Sequence, residues 1–161
     1  MHTIVIEKAV PEDVEWIAEF QIEMAMESES FKLDPDTVRR GVRKIFDEPS
    51  FGFYVSAKDE HGTPVGCLLL QREWSDWRNA EAWWIHSVYV IPPVRCQGVF
   101  TRMFDWAAAL AKDSGIFCLR LYLDRGNKPA RAVYERIGMD NRHYEMFETM
   151  LSCWTLKERD A

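Results

Sequence analysis

Two groups of residues in this sequence have the types and spacing to do chemistry. The first is the run Arg95-Cys96-Gln97-Gly98-Val99-Phe100. It lies between an apolar, aromatic and β-branched stretch at 83–90, which reads as a largely buried strand, and a helix-like segment. Pro92-Pro93 ends that strand, because proline donates nothing to a ladder. Met103, Phe104, Ala107, Leu110 and Ala111 then recur on one helical face. A strand, a tight glycine-containing turn and a helix N-terminus bring several free backbone N–H groups to one point. That is an anion site, and a pyrophosphate is its natural guest. The run is neither a Gly-Lys-Ser/Thr phosphate loop nor the three-glycine dinucleotide fingerprint, and an ordinary strand-to-helix connection is the other reading.

The second group is titratable and aromatic. His86 lies in the strand and titrates near neutrality, as a proton acceptor should; Glu81 lies just before it. A lone histidine in an aromatic strand is also a common structural residue, and Glu81 also reads as a solvent-facing one. Glu27, Glu29, Glu73 and Asp76 supply negative charge, and Trp74, Trp77, Trp83 and Trp84 supply aromatic faces. Acid beside aromatic is how a site holds a protonated amine. Loop tryptophans also pack over sheet edges, and Trp83 and Trp84 cannot both face the same side of a strand. Cys67, Cys96, Cys118 and Cys153 form no close pair and no zinc spacing, so no metal is expected.

The loop resembles the acetyl-CoA loop of the GNAT superfamily of N-acetyltransferases, Arg/Gln-x-x-Gly-x-Gly/Ala between a strand and a helix. Arg95, Gly98 and Phe100 take the three motif positions, with Phe100 in place of the usual small residue. A second stretch, 117–139, carries Asn127, Ala130, Tyr134 and Gly138 in the family's Asn-x-x-Ala-x-x-x-Tyr-x-x-x-Gly pattern. Both motifs fall within 83–139, about a third of the chain.

The resemblance implies acetyl-CoA as the cofactor. Its phosphates would lie on Arg95, Cys96, Gln97, Gly98, Val99, Phe100 and Thr101, and its pantetheine along Val88, Tyr89 and Val90 like an added strand. Asn127 and Ala130 would line the pantetheine and phosphate side. Tyr134 would be the acid that reprotonates the leaving thiolate. Glu81 and His86 are the candidate bases, with Glu27, Glu29 or a water chain behind them. The acceptor pocket would come from 27–31 and 73–78, through Glu27, Glu29, Trp74, Asp76 and Trp77. The implied activity is direct acetyl transfer to a primary amine of a small molecule of amino acid, polyamine or amino-sugar type. A protein N-terminus or lysine as acceptor, and a non-catalytic acyl-CoA sensor, are the alternatives. Family members often pair through C-terminal strands, and Met146, Phe147, Met150, Leu151 and Trp154 offer apolar material for a homodimer or for the chain's own sheet.

Several elements must position these residues. Thr3–Ala9 alternates as a strand, and Pro11-Glu12-Asp13 opens a helix that carries Trp16, Ile17, Phe20 and Met24. Asp34-Pro35-Asp36 opens a second helix, whose Arg39, Arg40, Arg43 and Lys44 read as a solvated face. Phe51–Ala57 and Val65–Gln71 form a hairpin, 73–79 a polar aromatic loop, and Phe117–Leu123 the strand after the central helix. The segments 142–148 and 150–156 read as a closing hairpin. The expected fold is α/β (α+β): one domain over 1–161, with helices on both faces of a mixed, largely antiparallel sheet of six or seven strands and a central parallel splay.

Composition agrees with a globular protein. The 161 residues suffice for one core, and 47% hydrophobic with 29% charged residues excludes wholesale disorder. A net charge of −6 argues against nucleic acid as partner and mildly favours a cationic small molecule. Scattered cysteines, no membrane-length apolar run and no visible signal peptide point to the cytoplasm, without a membrane partner.

Overall fold

The computed structural model describes residues 3–149 and 151, and the chain divides after Leu121 into two compact units. Among the described residues the first unit holds β1 (Val5–Lys8), α1 (Val14–Glu29), α2 (Pro35–Asp47), β2 (Gly52–Lys58), β3 (Pro64–Ser75), β4 (Ala80–Val90), α3 (Val99–Asp113) and β5 (Cys118–Arg120). The strands form one open sheet in the order β1-β2-β3-β4-β5. The first four are antiparallel to their neighbours, and β5 is parallel to β4. This is the expected mixed α+β architecture, with five strands among the described residues. Residues 142–148, read from sequence as the first arm of a closing hairpin, carry no strand. Most of the second arm lies outside the described residues.

Period-two alternation sorts the core onto two faces. Val55, Leu68, Leu70, Trp83 and Ile85 pack against Val99, Met103, Ala107 and Ala111 of α3. Tyr54, Cys67, Leu69 and Tyr89 pack on the other face, against Ile17, Ala18 and Phe20 of α1 and Val42 of α2. Burying each large apolar side chain stabilises by about 1.5–3 kcal/mol, so the helices are fixed by their stripes rather than by propensity. Their starts are set locally. Asp13 accepts hydrogen bonds from the Val10 N–H and the Trp16 indole, each at 2.9 Å. Asp34 caps α2 by accepting from the Thr37 N–H at 2.8 Å, with Pro35 in the first turn. Arg39, Arg40, Arg43 and Lys44 are all exposed on α2, a solvated basic face as expected.

β4 changes face halfway along. Cys67 pairs with Tyr89 and Leu69 with His86, so Ser87 and Val88 together oppose Leu68. This is a β-bulge, and Ser87 takes φ 52° there. Before it, Trp83 and Ile85 point to α3; after it, Val88 and Val90 do. The bulge thereby turns both His86 and Tyr89 toward the α1 side despite their odd spacing.

The second unit carries α4 (Lys128–Arg136). Among its described residues, Tyr144, Phe147 and Leu151 are exposed. No helix of the described residues is long and apolar enough to cross a membrane.

Candidate functional site

The loop from Val90 to Thr101 is built as an anion cradle. Pro92–Val94 form one 3-10 turn, and both Cys96 and Gly98 take positive φ, at 61° and 79°. That left-handed curl suits glycine at 98, where an added Cβ would meet nothing within 4 Å. Gly98 is also the N-cap of α3 and supplies no capping side chain. The first helical hydrogen bond runs from the Arg102 N–H to the Gly98 carbonyl at 3.0 Å. The N–H groups of Val99, Phe100 and Thr101 therefore precede the helical ladder at the positive end of its dipole. Phe100 does not obstruct this end: its ring packs beside Phe104 and the α3-side core. The Gln97 amide braces the turn by donating to the Pro93 carbonyl at 3.1 Å.

β4 presents backbone to the same place. The Ile91 N–H donates to the Val65 carbonyl at 3.0 Å. By antiparallel alternation Tyr89 also faces β3, while Val88 and Val90 turn their backbone groups away from it. On that side β5 pairs only with Ala82, Trp83 and Trp84. The strands thus form the splay that the sequence reading anticipates, with Val88 and Val90 beyond the end of the paired segment.

Arg95 joins this loop to α1. Its Nε donates to the Val90 carbonyl at 2.7 Å and its guanidinium to Glu27 at 2.7 Å, with its cation 5.4 Å from the centre of the Tyr89 ring. The Tyr89 hydroxyl lies 2.8 Å from a Glu23 carboxylate oxygen and 3.1 Å from Glu27. Burial, then the neighbouring Glu23 and Glu27, push its phenol well above the ordinary tyrosine range. Sequence reasoning named Tyr89 for its backbone alone and missed Glu23. The i, i+4 spacing of Glu23 and Glu27, on one edge of α1, is the signal that pairs them.

The two candidate bases stand on opposite faces. His86 lies on the α1 side at the start of the open half of β4, stacked with Trp84 at 6.2 Å, and burial lowers its pKa. Glu81 lies at the other end of the strand. Its carboxylate accepts from Arg72 at 3.4 Å and from the Trp83 indole at 3.2 Å, beside the C-terminal end of α3.

The expected acceptor pocket is not assembled from both its stretches. Glu73 and Trp74 belong to β3, not to a loop, and pair with Ala82 and Glu81. Asp76 accepts from the Trp77 N–H in the hairpin turn, and Trp77 is 89% exposed. Glu27 instead meets Tyr89, seven strand residues from Ala82, or roughly 23 Å along β4. Trp74, Asp76 and Trp77 therefore belong to one end of the sheet, and Glu27, with exposed Glu29 behind it, to the other. Glu73 accepts from the Trp84 indole and, at 2.8 Å, from Arg120, whose guanidinium lies 5.8 Å from the Trp84 ring centre.

In the second unit the Asn-to-Gly motif is a capped two-turn helix. Asn127 accepts from the Ala130 N–H at 3.1 Å, and Gly138 ends the helix at φ 90°. Tyr134 lies between these caps, half-buried, and burial raises its pKa.

Comparison with known proteins agrees with these features. The Acetyltransferase (GNAT) family matches residues 15–139, and the chain belongs to that family. A possible acetyltransferase from Clostridium difficile 630 superposes with a TM-score of 0.85 at 33% identity, over 92% of this chain and 98% of that one. An uncharacterized N-acetyltransferase of Methanocaldococcus jannaschii is 30% identical over 92 residues, 56% of this chain and 40% of the relative. One from Bacillus subtilis is 27% identical over 82 residues, 51% and 55% of the two chains. The chain thus spans about half the length of the curated relatives it matches. Members of the family use acetyl-CoA and an acceptor substrate.

Proposed function

We propose that this chain is an acetyl-CoA-dependent N-acetyltransferase that moves an acetyl group directly to the primary amine of a small molecule. The observation that carries the reading is the open half of β4, which runs into an uncapped, glycine-turned helix N-terminus. The cradle fits a pyrophosphate: three N–H groups converge on it, and the space beside Gly98 is clear. Backbone groups of Val88 and the N–H of Val90 are oriented to take the amides of pantetheine, while the Val90 carbonyl holds Arg95.

Acetyl-CoA supplies an activated thioester. The amine nitrogen attacks its carbonyl carbon, the carbon–sulfur bond breaks, the ammonium proton passes to a base and the thiolate takes a proton from an acid. We assign the base to His86, directly or through water, because it stands on the open half of β4, whereas Glu81 is held by Arg72 and Trp83 at the closed end. Tyr134 is the acid. Glu23 and Glu27 put negative charge beside Tyr89, which supports a cationic amine as acceptor.

Calorimetric titration with acetyl-CoA, with NADH and ATP as controls, tests the cofactor. Micromolar binding of acetyl-CoA alone supports it, and no binding refutes it. An amine panel read by thiol release then tests transfer, with polyamines, amino acids, amino sugars and a lysine peptide. Tyr134→Phe should lower turnover about 100-fold while leaving acetyl-CoA affinity within about twofold; wild-type turnover would remove Tyr134 from the mechanism.

A further inference from the structure

The closed end of the sheet carries a second concave site. There α3 packs over Trp83 and ends at Asp113, and Gly115, at φ 73°, turns the chain toward β5. Arg72 pairs with Trp83 and Trp74 with Glu81, so all four side chains share the face that α3 covers. Together with the end of α3 around Gly115 they line a cavity of about 370 Å³. That is the small end of the range for ligand sites, suited to a single compact molecule.

The polar groups of this cavity are under-used. Arg72 approaches the two Glu81 oxygens at 3.4 and 3.5 Å, longer than the ~2.7–3.2 Å of a well-made N–H···O bond. Among the described residues its guanidinium has no other partner. The Trp83 indole donates to Glu81 at 3.2 Å and so holds the carboxylate in place. Beside them Trp74 leaves 60% of its surface exposed, although tryptophan ordinarily buries most of its ring.

A guanidinium, a carboxylate and a bare aromatic face in one small cavity complement one chemical class. An α-amino acid carries its carboxylate and its ammonium on the same carbon, spaced as closely as the Arg72 and Glu81 head groups. The planar fork of Arg72 takes a carboxylate through two parallel bonds. Glu81, beside the negative end of the α3 dipole, takes the ammonium. Trp74 offers its ring to the side chain. We propose that this cavity is a second, non-catalytic binding site for a free α-amino acid with an aromatic or large apolar side chain, read jointly by Arg72, Glu81 and Trp74. Binding replaces one long ion pair with two shorter charge-assisted contacts. The inference goes beyond acetyl transfer and does not depend on it, because the cavity lies on the α3 side of the sheet and Tyr89 on the α1 side.

Proton–nitrogen correlation spectra of the ¹⁵N-labelled chain, without acetyl-CoA, test it with L-phenylalanine as the probe. The indole N–H signals of Trp74 and Trp83 should shift saturably at millimolar or lower concentration. Phenethylamine, which lacks the carboxylate, and 3-phenylpropionate, which lacks the ammonium, should each bind at least about tenfold more weakly. Arg72→Met and Trp74→Ala should weaken L-phenylalanine by a similar factor. No saturable shift at millimolar concentration, a shift that survives Trp74→Ala, or phenethylamine binding as well as phenylalanine would overturn the inference. Trp74 is mostly in solvent, so Trp74→Ala keeps the fold; should Arg72→Met lose signal dispersion, the two ligand fragments decide the role of Arg72 on the unaltered chain.

Discussion

The two halves of β4 are the same strand put to different uses. From Ala80 to Ile85 it is paired with β3, and from Ala82 to Trp84 with β5 as well, the Phe117 N–H extending that second ladder to the Glu81 carbonyl. Trp83 and Ile85 are almost wholly buried there. From His86 to Val90 the strand is paired with β3 alone, is bulged at Ser87, and ends in the turn to α3. The first half is held by partner strands on both sides of its centre; the second has backbone groups left over on the side away from β3. A site that binds an amide-rich ligand through its main chain needs both, since unpaired groups are useful only where a closed segment fixes their direction.

The largest difference between the halves should appear in stability. Trp83 is 3% exposed, meets Phe53 edge-on at 5.4 Å and donates its indole N–H to Glu81. Trp83→Ala should cost about 3–5 kcal/mol in chemical denaturation, as large core truncations do. A cost below ~1 kcal/mol would mean that the closed half is not the anchor. Gly98→Asp tests the open half and should leave the fold in place. It forces an L side chain into φ 79° and puts a carboxylate where an anion belongs, so calorimetry should show at least ~100-fold weaker acetyl-CoA binding. Unchanged affinity would remove the loop from the site.

Much of this division was legible in the sequence, and what was not has a physical cause. The Pro92-Pro93 stop, Gly98 and the apolar stripe of α3 are local signals, and each produced the element it predicts. Asn127 and Gly138 likewise read as helix caps once seen in place. The bulge escaped because it carries no glycine: Ser87 looks like any strand residue. Its trace is a slipped alternation, since Trp83 and Ile85 share a face with Val88 and Val90 only if one residue is extra. Gln21 was visible as a polar residue in an apolar stripe, but its partner Cys67 lies 46 positions away and depends on register. Long-range register also separates Glu27 from Trp77, two residues that the family resemblance had joined in one pocket.

His86 sharpens the comparison through pH. Burial lowers its pKa below the ordinary 6.5, so the folded chain keeps the imidazole neutral to lower pH than the unfolded chain does. The stability that depends on a neutral His86 is complete above about pH 6.5 and is lost as pH falls below it. As the proposed base, His86 should give kcat/KM an acidic limb that also lies below pH 6.5. His86→Gln should lower turnover about 100-fold and abolish that limb. An acidic limb that survives the substitution would transfer the role to another group or to a water chain.

Glu81→Gln is the smallest expected change and the most direct challenge to the division. Glu81 is partly exposed, and its pairing with Arg72, at 3.4 Å, is of the surface kind that contributes ~0–1 kcal/mol. Glutamine keeps an oxygen for the Trp83 indole, so the closed half should hold and unfolding should shift by under ~1 kcal/mol. Turnover should stay within about twofold, because no proton leaves the amine through a group at the closed end. A tenfold or greater loss of turnover, with stability and acetyl-CoA affinity unchanged, would put the base in the half assigned here to support. The open half would then bind the cofactor without carrying the proton, and the functional boundary would no longer fall at the bulge.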